Sequence, residues 1–184
     1  MKIIAENANY LPALKGVAET HLGNAKTLLE QRLIGRSRDH AQAAIPFIEK
    51  AIKDNPGFTC LWRILANILD FVALLPSTHS FLEVSGSLLR ESVTSKVIRD
   101  NALFELSAKC YCSCLKISKD DEYIWFELAA NYYLRATKYD KDEKVKLEHL
   151  QLALESAKHV VKLSPERWNN WNLLGIVAAS KGKL

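Results

Sequence analysis

Three cysteines at alternate positions, Cys110, Cys112 and Cys114, are the residues whose type and spacing most readily suggest chemistry. Clustered thiolates can bind zinc or take part in redox exchange. Structural zinc sites, however, usually draw four ligands from C-x2-C or wider pairs in turns. On a helix Cys110 and Cys114 would share a face while Cys112 points away, and Cys60 lies in a different segment. We therefore predict that these thiols pack between helices and hold no metal, with a metal or redox protein as a minor alternative.

The remaining candidates for catalysis are weak. The five histidines are scattered, and none forms the H-E-x-x-H pair of a metalloprotease. His21 and His159 fall on or beside predicted helix seams, where packing is the expected role. The sequence contains no G-x-G-x-x-G, no phosphate loop ending in Gly-Lys-Ser/Thr and no G-x-S-x-G. The sequence therefore predicts a protein that is not an enzyme and has no cofactor.

The densest basic stretch comprises Arg32, Arg36, Arg38 and His40. Basic side chains that converge on one face could neutralise RNA phosphates. The whole chain is only mildly basic, since 25 Lys and Arg residues are interspersed with 21 Asp and Glu residues for a net charge of +4. We expect a solvated helix end here and no direct nucleic-acid contact, and we keep a direct RNA-binding helical solenoid as the alternative.

The elements that carry these residues are indicated by three tryptophans in matching contexts, Trp62, Trp125 and Trp171. Each tryptophan precedes a leucine by three residues and a small residue by four. This spacing places the tryptophan, the leucine and the small residue on one face of a helix. The leucine and small residue are Leu65 and Ala66 in the first copy, Leu128 and Ala129 in the second, and Leu174 and Gly175 in the third. Tyr132 extends the second copy, and Leu14 begins a weaker copy without tryptophan. Such recurrence predicts an array of similar helical units whose anchors interlock between helices.

This pattern resembles the tetratricopeptide repeat, whose first helix reads W-x2-L-G-x2-Y and whose second helix ends near a proline. The resemblance implies an all-α, right-handed superhelix of three helical hairpins plus a lone helix. It covers the whole chain, 1–184, as one array segment. The predicted units are 10–56, 58–119, 121–165 and a partial unit, 168–184.

The units are longer than the standard ~34 residues, so we expect lengthened helices and one long insertion, from Asp70 to Thr94. Turn-forming residues at 76–80 and 85–87 interrupt that insertion. Pro46 falls inside a helical pattern and lacks a backbone donor. We expect a kink at Pro46, or a helix that begins just before it.

The resemblance also implies a concave groove formed by the first helices. The residues that occupy its ligand-facing positions, and that we expect to contact a partner, are Lys15, Glu19, Arg63, Asn67, Phe126 and Asn172. Ala130 and Ile176 do not suit a clamp for the carboxylate of a chaperone tail. A mixed apolar and polar groove for a protein segment is the better expectation, in a helical or an extended mode.

Three stretches, 13–21, 55–62 and 162–171, resemble the large tetratricopeptide scaffold subunits of superkiller RNA-decay complexes. The resemblance implies a non-catalytic platform that holds an RNA helicase and β-propeller subunits. These feed RNA to the exosome for 3′-to-5′ mRNA decay in the cytoplasm, and the scaffold is expected in the nucleus as well. RNA contact would then belong to the partners.

The ends and the composition add further expectations. Residues 1–9 offer no complete helix to cover Leu14, and no second helix follows Trp171, so we expect a segment of a longer array or a short isoform that self-associates. The apolar runs fall short of the ~20 residues that cross a bilayer, and four cysteines without a signal peptide favour a reducing compartment. As buried anchors, Trp125→Ala and Trp171→Ala would each cost about 3–5 kcal/mol.

Overall fold

A computed structural model of the protein describes residues 10–89 and 94–183. The chain divides into two compact units, and the boundary in the sequence falls between Leu103 and Phe104. The elements of the first unit are α1 (Leu11–Glu30), α2 (Ile34–Asp54), α3 (Thr59–Ala73), β1 (Phe81–Ser85), the short α4 (Gly86–Leu89) and β2 (Ser95–Arg99). Next come α5 (Asn101–Ile117), which begins just before the boundary, then α6 (Glu122–Lys138), α7 (Glu143–Leu163) and α8 (Trp168–Lys181).

The first unit is built on α1, α2 and α3, which pack through small and aliphatic side chains. Small residues on α1 and α2, including Ala18, Ala41 and Ala44, are fully buried and allow the two helices to approach closely. Helix α2 runs through Pro46. It begins well before that residue, so the expected alternative of a helix start at Pro46 is wrong. The predicted helical-repeat class is confirmed, and the helices are long, with 21 residues in α2.

The insertion contains a β-hairpin that the sequence did not predict. Strand β1 pairs antiparallel with β2, with Leu82 opposite Ile98. Helix α3 includes Asp70, so the segment outside the helices begins at Leu74 rather than Asp70. Part of the predicted insertion, 90–93, and the expectation for residues 1–9 lie outside the described residues. Beta-branched residues such as Val84 favour the strand, but the link between the strands is too long for a two-residue turn.

Helix α2 covers the outer edge of this hairpin. The side-chain amide of Gln42 donates from Nε2 to the Glu83 carbonyl oxygen at 2.9 Å and accepts from the Glu83 backbone N–H at 2.8 Å. The carboxylate of Glu49 accepts from the Ser85 backbone N–H at 2.8 Å. These side chains therefore satisfy backbone groups that an exposed strand edge would leave open to another strand.

Burial of the hairpin against the helices completes the first unit. Leu82 and Val84 are 0% and 1% exposed. The guanidinium groups of Arg38 and Arg99 both lie over the Phe81 ring, 4.3 and 4.6 Å from its centroid. Burial of Leu82 and Val84 contributes about 1.5–3 kcal/mol per side chain.

The second unit consists, in its described residues, of helices joined by short turns. Asp121 and Asp142 cap α6 and α7 by accepting backbone N–H groups of the first turn, which satisfies donors that a helix start leaves unpaired. Asn131 donates to the Phe104 carbonyl at 3.2 Å and ties α6 to α5. Small and aliphatic side chains form the core between α6, α7 and α8: Ala129, Ala153, Ala157, Leu173 and Val177.

A repeated contact explains the tryptophan spacing. The indole N–H of Trp62 donates to the Pro56 carbonyl oxygen at 2.8 Å. Trp125 donates to Lys119 at 2.7 Å and Trp171 to Pro165 at 2.8 Å. In each case the acceptor lies six residues earlier, in the turn before the helix. The indole therefore fastens a helix to the turn that leads into it.

The expectation that these rings are interlocking buried anchors needs correction. Trp62 and Trp125 are only partly buried, and Trp171 is 53% exposed. An added Cβ at Gly175 would meet no atom within 4 Å, and Leu174 is partly buried. The reason is geometric, because an indole that reaches back to its own turn lies at the helix margin. Fully or almost fully buried positions among the predicted anchors are Leu14, Leu65, Ala66, Leu128 and Ala129.

Candidate functional site

An open groove crosses the second unit, and we call it the α6 groove. Its volume is about 540 Å³. Helix α6 provides the floor, while α5 with its following turn and α7 provide the walls. The lining residues are Cys112, Leu115, Lys116, Lys119, Trp125, Leu128, Tyr132, Leu152, Glu155, Ser156 and His159. The volume is within the range of sites that accept a small molecule or a few inserted side chains.

Aromatic rings stiffen the floor of the α6 groove. Trp125 lies against His159 with ring centroids 4.5 Å apart, so His159 has the packing contact that the sequence predicted. Tyr132 stacks on His149 at 6.3 Å, and His149 Nδ1 contacts Asp140 Oδ2 at 2.6 Å. Burial raises the pKa of Tyr132, which keeps its hydroxyl neutral. The floor is therefore a preformed apolar and aromatic surface.

The charges lie on opposite rims of the α6 groove. Lys116 and Lys119 are exposed on one side, and neither makes an ion pair with another described residue. On the other rim the Glu155 carboxylate accepts from Gln151 at 2.7 Å. Exposed lysines without an ion-pair partner attract acidic groups, and they favour acidic ligands at that rim.

The cysteines of this region do not form a reactive centre. Cys110 and Cys114 are buried, and Cys112 is half-buried in the groove wall. Burial raises the pKa of the Cys112 thiol, and the nearby Lys116 offsets only part of that rise. A thiol in such a site is a poor nucleophile and a poor metal ligand at neutral pH. Among residues 10–89 and 94–183, no group of three or more His, Cys, Asp or Glu side chains is arranged to hold a metal ion.

A second groove lies beside the first, and we call it the α7 groove. It has a volume of about 450 Å³ and is lined by Leu147, Glu148, Gln151, Leu152, Glu155 and Lys181. Leu152 and Glu155 line both grooves. Leu147 and Leu152 are 43% and 42% exposed. Helix α7 therefore presents apolar side chains to solvent outside its packed stripe.

The six residues predicted to bind a partner divide between the two units, four in the first and two in the second. Lys15 and Glu19 pair with each other at 2.9 Å on α1, and Arg63 and Asn67 on α3 are partly buried. In the second unit Phe126 packs against the core that contains Ala129 and Leu173, while Asn172 is exposed. Phe126 is thus occupied in packing, which differs from the expectation that it faces a ligand.

Sequence reasoning missed the residues of the two grooves. The usable signal was in α7, where Leu147 and Leu152 lie off the apolar stripe formed by Ala153 and Ala157. A helix with apolar residues outside its core face usually has a second contact surface. The basic residues of α5 gave no comparable signal, because only the packing of α5, α6 and α7 places Lys116 above an apolar floor.

The basic stretch of the first unit is used largely within that unit. Arg38 stacks on Phe81 and contacts Asp39 at 2.9 Å. His40 Nδ1 lies 3.2 Å from His21 Nδ1, and the His21 ring stacks on Phe47 at 6.1 Å. Only Arg32 and Arg36 remain exposed. The four predicted cationic groups therefore do not converge on one phosphate-binding face.

None of the helices described, within 10–89 and 94–183, is long and apolar enough to cross a membrane. No family model matches the chain. A solved structure titled "First TPR of Spaghetti (RPAP3) bound to HSP90 peptide SRMEEVD" superposes with a TM-score of 0.48 and 12% identity, over 90% of this chain and 94% of that one.

Two curated relatives match nearly the whole chain. Tetratricopeptide repeat protein 37 of Xenopus laevis is 30% identical over 98% of this chain, and superkiller complex protein 3 of Homo sapiens is 29% identical over the same share. The chain spans only 12% of the length of each relative.

The helical hairpins and the recurring tryptophan contact define a helical repeat protein, and its sequence is similar to that of tetratricopeptide repeat protein 37. Within that class, the chain resembles one segment of superkiller complex protein 3, which confirms the resemblance found in the sequence.

Proposed function

We propose that this chain is a non-catalytic platform for binding other proteins, acting as one segment of a superkiller-type assembly. The observation that carries the proposal is the α6 groove, whose preformed apolar floor is open to solvent and whose rim carries the unpaired cations Lys116 and Lys119. Such a surface can bury apolar side chains of a partner while steering acidic groups to one edge. It contains no activated nucleophile.

The partners proposed are the RNA helicase and β-propeller subunits that the resemblance implies. In that assembly the chain positions its partners and catalyses no reaction itself. Its partners deliver RNA for 3′-to-5′ decay by the exosome. We place this work in the cytoplasm and also in the nucleus. Support comes from the two relatives, one of which carries the superkiller complex in its name.

Direct RNA binding is the less favoured function because Arg38 is stacked on Phe81 and His40 lies against His21. A protein that neutralises several phosphates loses affinity steeply as salt rises. We expect the chain to bind single-stranded RNA weakly in a titration. We also expect the RNA affinity to be nearly independent of salt concentration. A steep salt dependence would favour the RNA-binding alternative instead.

The test of the proposed function is affinity capture with the full chain as bait and the purified helicase and β-propeller subunits as prey. The variant Lys116→Glu/Lys119→Glu reverses both rim charges of the α6 groove. Both side chains are exposed, so the fold should persist. We expect roughly tenfold weaker capture, since rim charges affect association without entering the core.

A matched variant, Lys144→Glu/Lys162→Glu, makes the same charge change on exposed α7 positions that line neither groove. It should capture the subunits as well as the unaltered chain does. Equal loss in both variants would show a non-specific charge effect. If the unaltered chain captures neither subunit, the platform function itself is wrong.

A further inference from the structure

The pair α2–α3 and the pair α7–α8 have the same layout of helix, turn and tryptophan, and we call them the first and the second copy. Helices α2 and α7 both have 21 residues, and the same number of residues separates their starts, their ends and the two prolines that follow, Pro56 and Pro165. In each copy an indole N–H, from Trp62 or Trp171, donates to the proline carbonyl at 2.8 Å. Each residue of α2 therefore has an equivalent at the same place in α7.

In the first copy an extended strand lies on the second helix. Strand β1 presents the backbone of Glu83 to the amide of Gln42, which donates at 2.9 Å and accepts at 2.8 Å. The flanking side chains, Leu82 and Val84, are buried. The side chain of Gln42 thus makes the two backbone hydrogen bonds with Glu83 that a neighbouring strand would make. Burial of the alternate apolar side chains Leu82 and Val84 stabilises the contact between strand and helix.

In the second copy the same surface is open. Gln151 occupies the position of Gln42, and Leu147 occupies the position of Arg38, whose guanidinium covers Phe81 in the first copy. Both Gln151 and Leu147 line the α7 groove. The groove therefore lies where β1 would lie if the second copy had its own hairpin.

We propose that the α7 groove binds an extended segment of a partner protein, in the way that α2 binds β1. The segment presents one residue's backbone N–H and C=O to the Gln151 amide and inserts the two flanking apolar side chains beside Leu147 and Leu152. This proposal rests on the platform function above and specifies how one partner is held.

The charges around the groove refine the chemistry of the segment. Lys158 replaces Glu49, whose carboxylate accepts the Ser85 N–H in the first copy. A lysine at this position is a donor only, so the segment has a carbonyl or an acidic side chain at that end. The Gln151 amide now donates to Glu155 and accepts from Lys181. The Glu155 contact is exposed and the Lys181 contact is part-buried. Contacts to the backbone of the segment replace both, so the Gln151 amide stays hydrogen-bonded.

The test is NMR titration of the isotope-labelled chain with a synthetic peptide of residues 79–86 of this same chain, His-Ser-Phe-Leu-Glu-Val-Ser-Gly. This peptide contains the strand that occupies the equivalent surface. We expect chemical-shift changes at the Gln151 side-chain amide and along α7. The variant Gln151→Ala should weaken binding roughly tenfold, because two hydrogen bonds to the peptide backbone are lost.

Two controls distinguish binding of the peptide as an extended strand from non-specific binding. A peptide with aspartate in place of both alternate apolar residues, those equivalent to Leu82 and Val84, should not bind. The variant Lys144→Ala, at an exposed α7 position outside both grooves, should bind the original peptide normally.

Equal shifts with the aspartate peptide, undiminished binding to Gln151→Ala, or shifts confined to other helices would overturn the proposal, as would no shift at saturating peptide. Concentration-dependent broadening of α7 without peptide would assign the groove to a second copy of this chain instead. Failure of the strand mode leaves the platform function intact if Lys116→Glu/Lys119→Glu still weakens capture of the subunits. If that capture is absent as well, both proposals fail.

Discussion

Helices α2 and α7 begin and end at equivalent positions and share a length of 21 residues, yet one is covered and the other is open. Strand β1 covers α2, with Leu82 and Val84 buried against the helices. On α7 the corresponding surface is the α7 groove, where Leu147 and Leu152 are about two-fifths exposed. The repeat therefore supplies a strand-binding helix face in both places, and the presence of an insertion decides which face is free for another protein.

The largest expected effect comes from breaking the covered side. Replacing Leu82, which is fully buried, by aspartate places a charge under the hairpin, and Leu82→Asp should destabilise the first unit by about 4 kcal/mol. Unfolding in urea, followed by circular dichroism, measures this change. Val97→Asp is the matched control, because Val97 lies on the partner strand and is 48% exposed. A similar loss from both variants would mean that the hairpin is not anchored through Leu82.

The second prediction compares equivalent tryptophans. Trp62→Ala and Trp171→Ala each remove the same indole hydrogen bond, at 2.8 Å, but Trp171 is 53% exposed. We expect a loss of about 3 kcal/mol for Trp62 and for Trp125, and about 1 kcal/mol for Trp171, since less apolar area leaves water there. This replaces the equal loss that the sequence predicted for Trp125 and Trp171. Equal thermal shifts for Trp62 and Trp171 would contradict the exposures described here.

The third prediction exchanges the two glutamines for alanine. Gln42→Ala removes both contacts to the Glu83 backbone and should cost about 1–2 kcal/mol. Gln151→Ala removes contacts with the exposed Glu155 and the half-buried Lys181, and it should change stability by about 0.5 kcal/mol or less. Hydrogen exchange at the Glu83 amide provides the local measurement, because its protection should fall only in Gln42→Ala. Protection that persists would show that β1 does not depend on Gln42.

The smallest expected effect is a pH dependence in the first unit. Burial lowers the pKa of His21 below its ordinary value of 6.5, and the neighbouring His40 lowers it further. Because the folded state binds the proton less readily than the unfolded state, the His21 contribution is present above pH 6.5 and is lost as the pH falls below it. His21→Gln should flatten the change in urea midpoint between neutral and mildly acidic pH. An unchanged slope in that variant would assign the effect to another group.

Much of the helical architecture was predictable because helix signals are local. The spacing of Trp62, Leu65 and Ala66 already placed these residues on one face, and the structure buries the leucine and the alanine. The same reasoning misjudged the indoles. A side chain near a helix start can reach back to its own turn, and sequence spacing does not distinguish that contact from burial between helices.

The binding surfaces were less accessible to sequence reasoning. The resemblance to the tetratricopeptide repeat predicted that Lys15, Arg63 and Phe126 face a ligand. In the structure Lys15 pairs with Glu19, and Phe126 packs against the core of the second unit. The α6 groove arises from three helices whose lining residues are widely separated in the chain. No local sequence pattern predicts that Lys116 and Leu152 line the same groove.

By itself the sequence determined the helices, their repeated spacing and the similarity of the two helix pairs, because periodicity and turn residues act over a few neighbouring positions. Only the tertiary structure decided that Gln42 would pair with a strand 41 residues away while Gln151 would line an open groove. Strand pairing and burial depend on contacts between distant segments, and similar local signals therefore lead to a closed surface in one unit and an open one in the other.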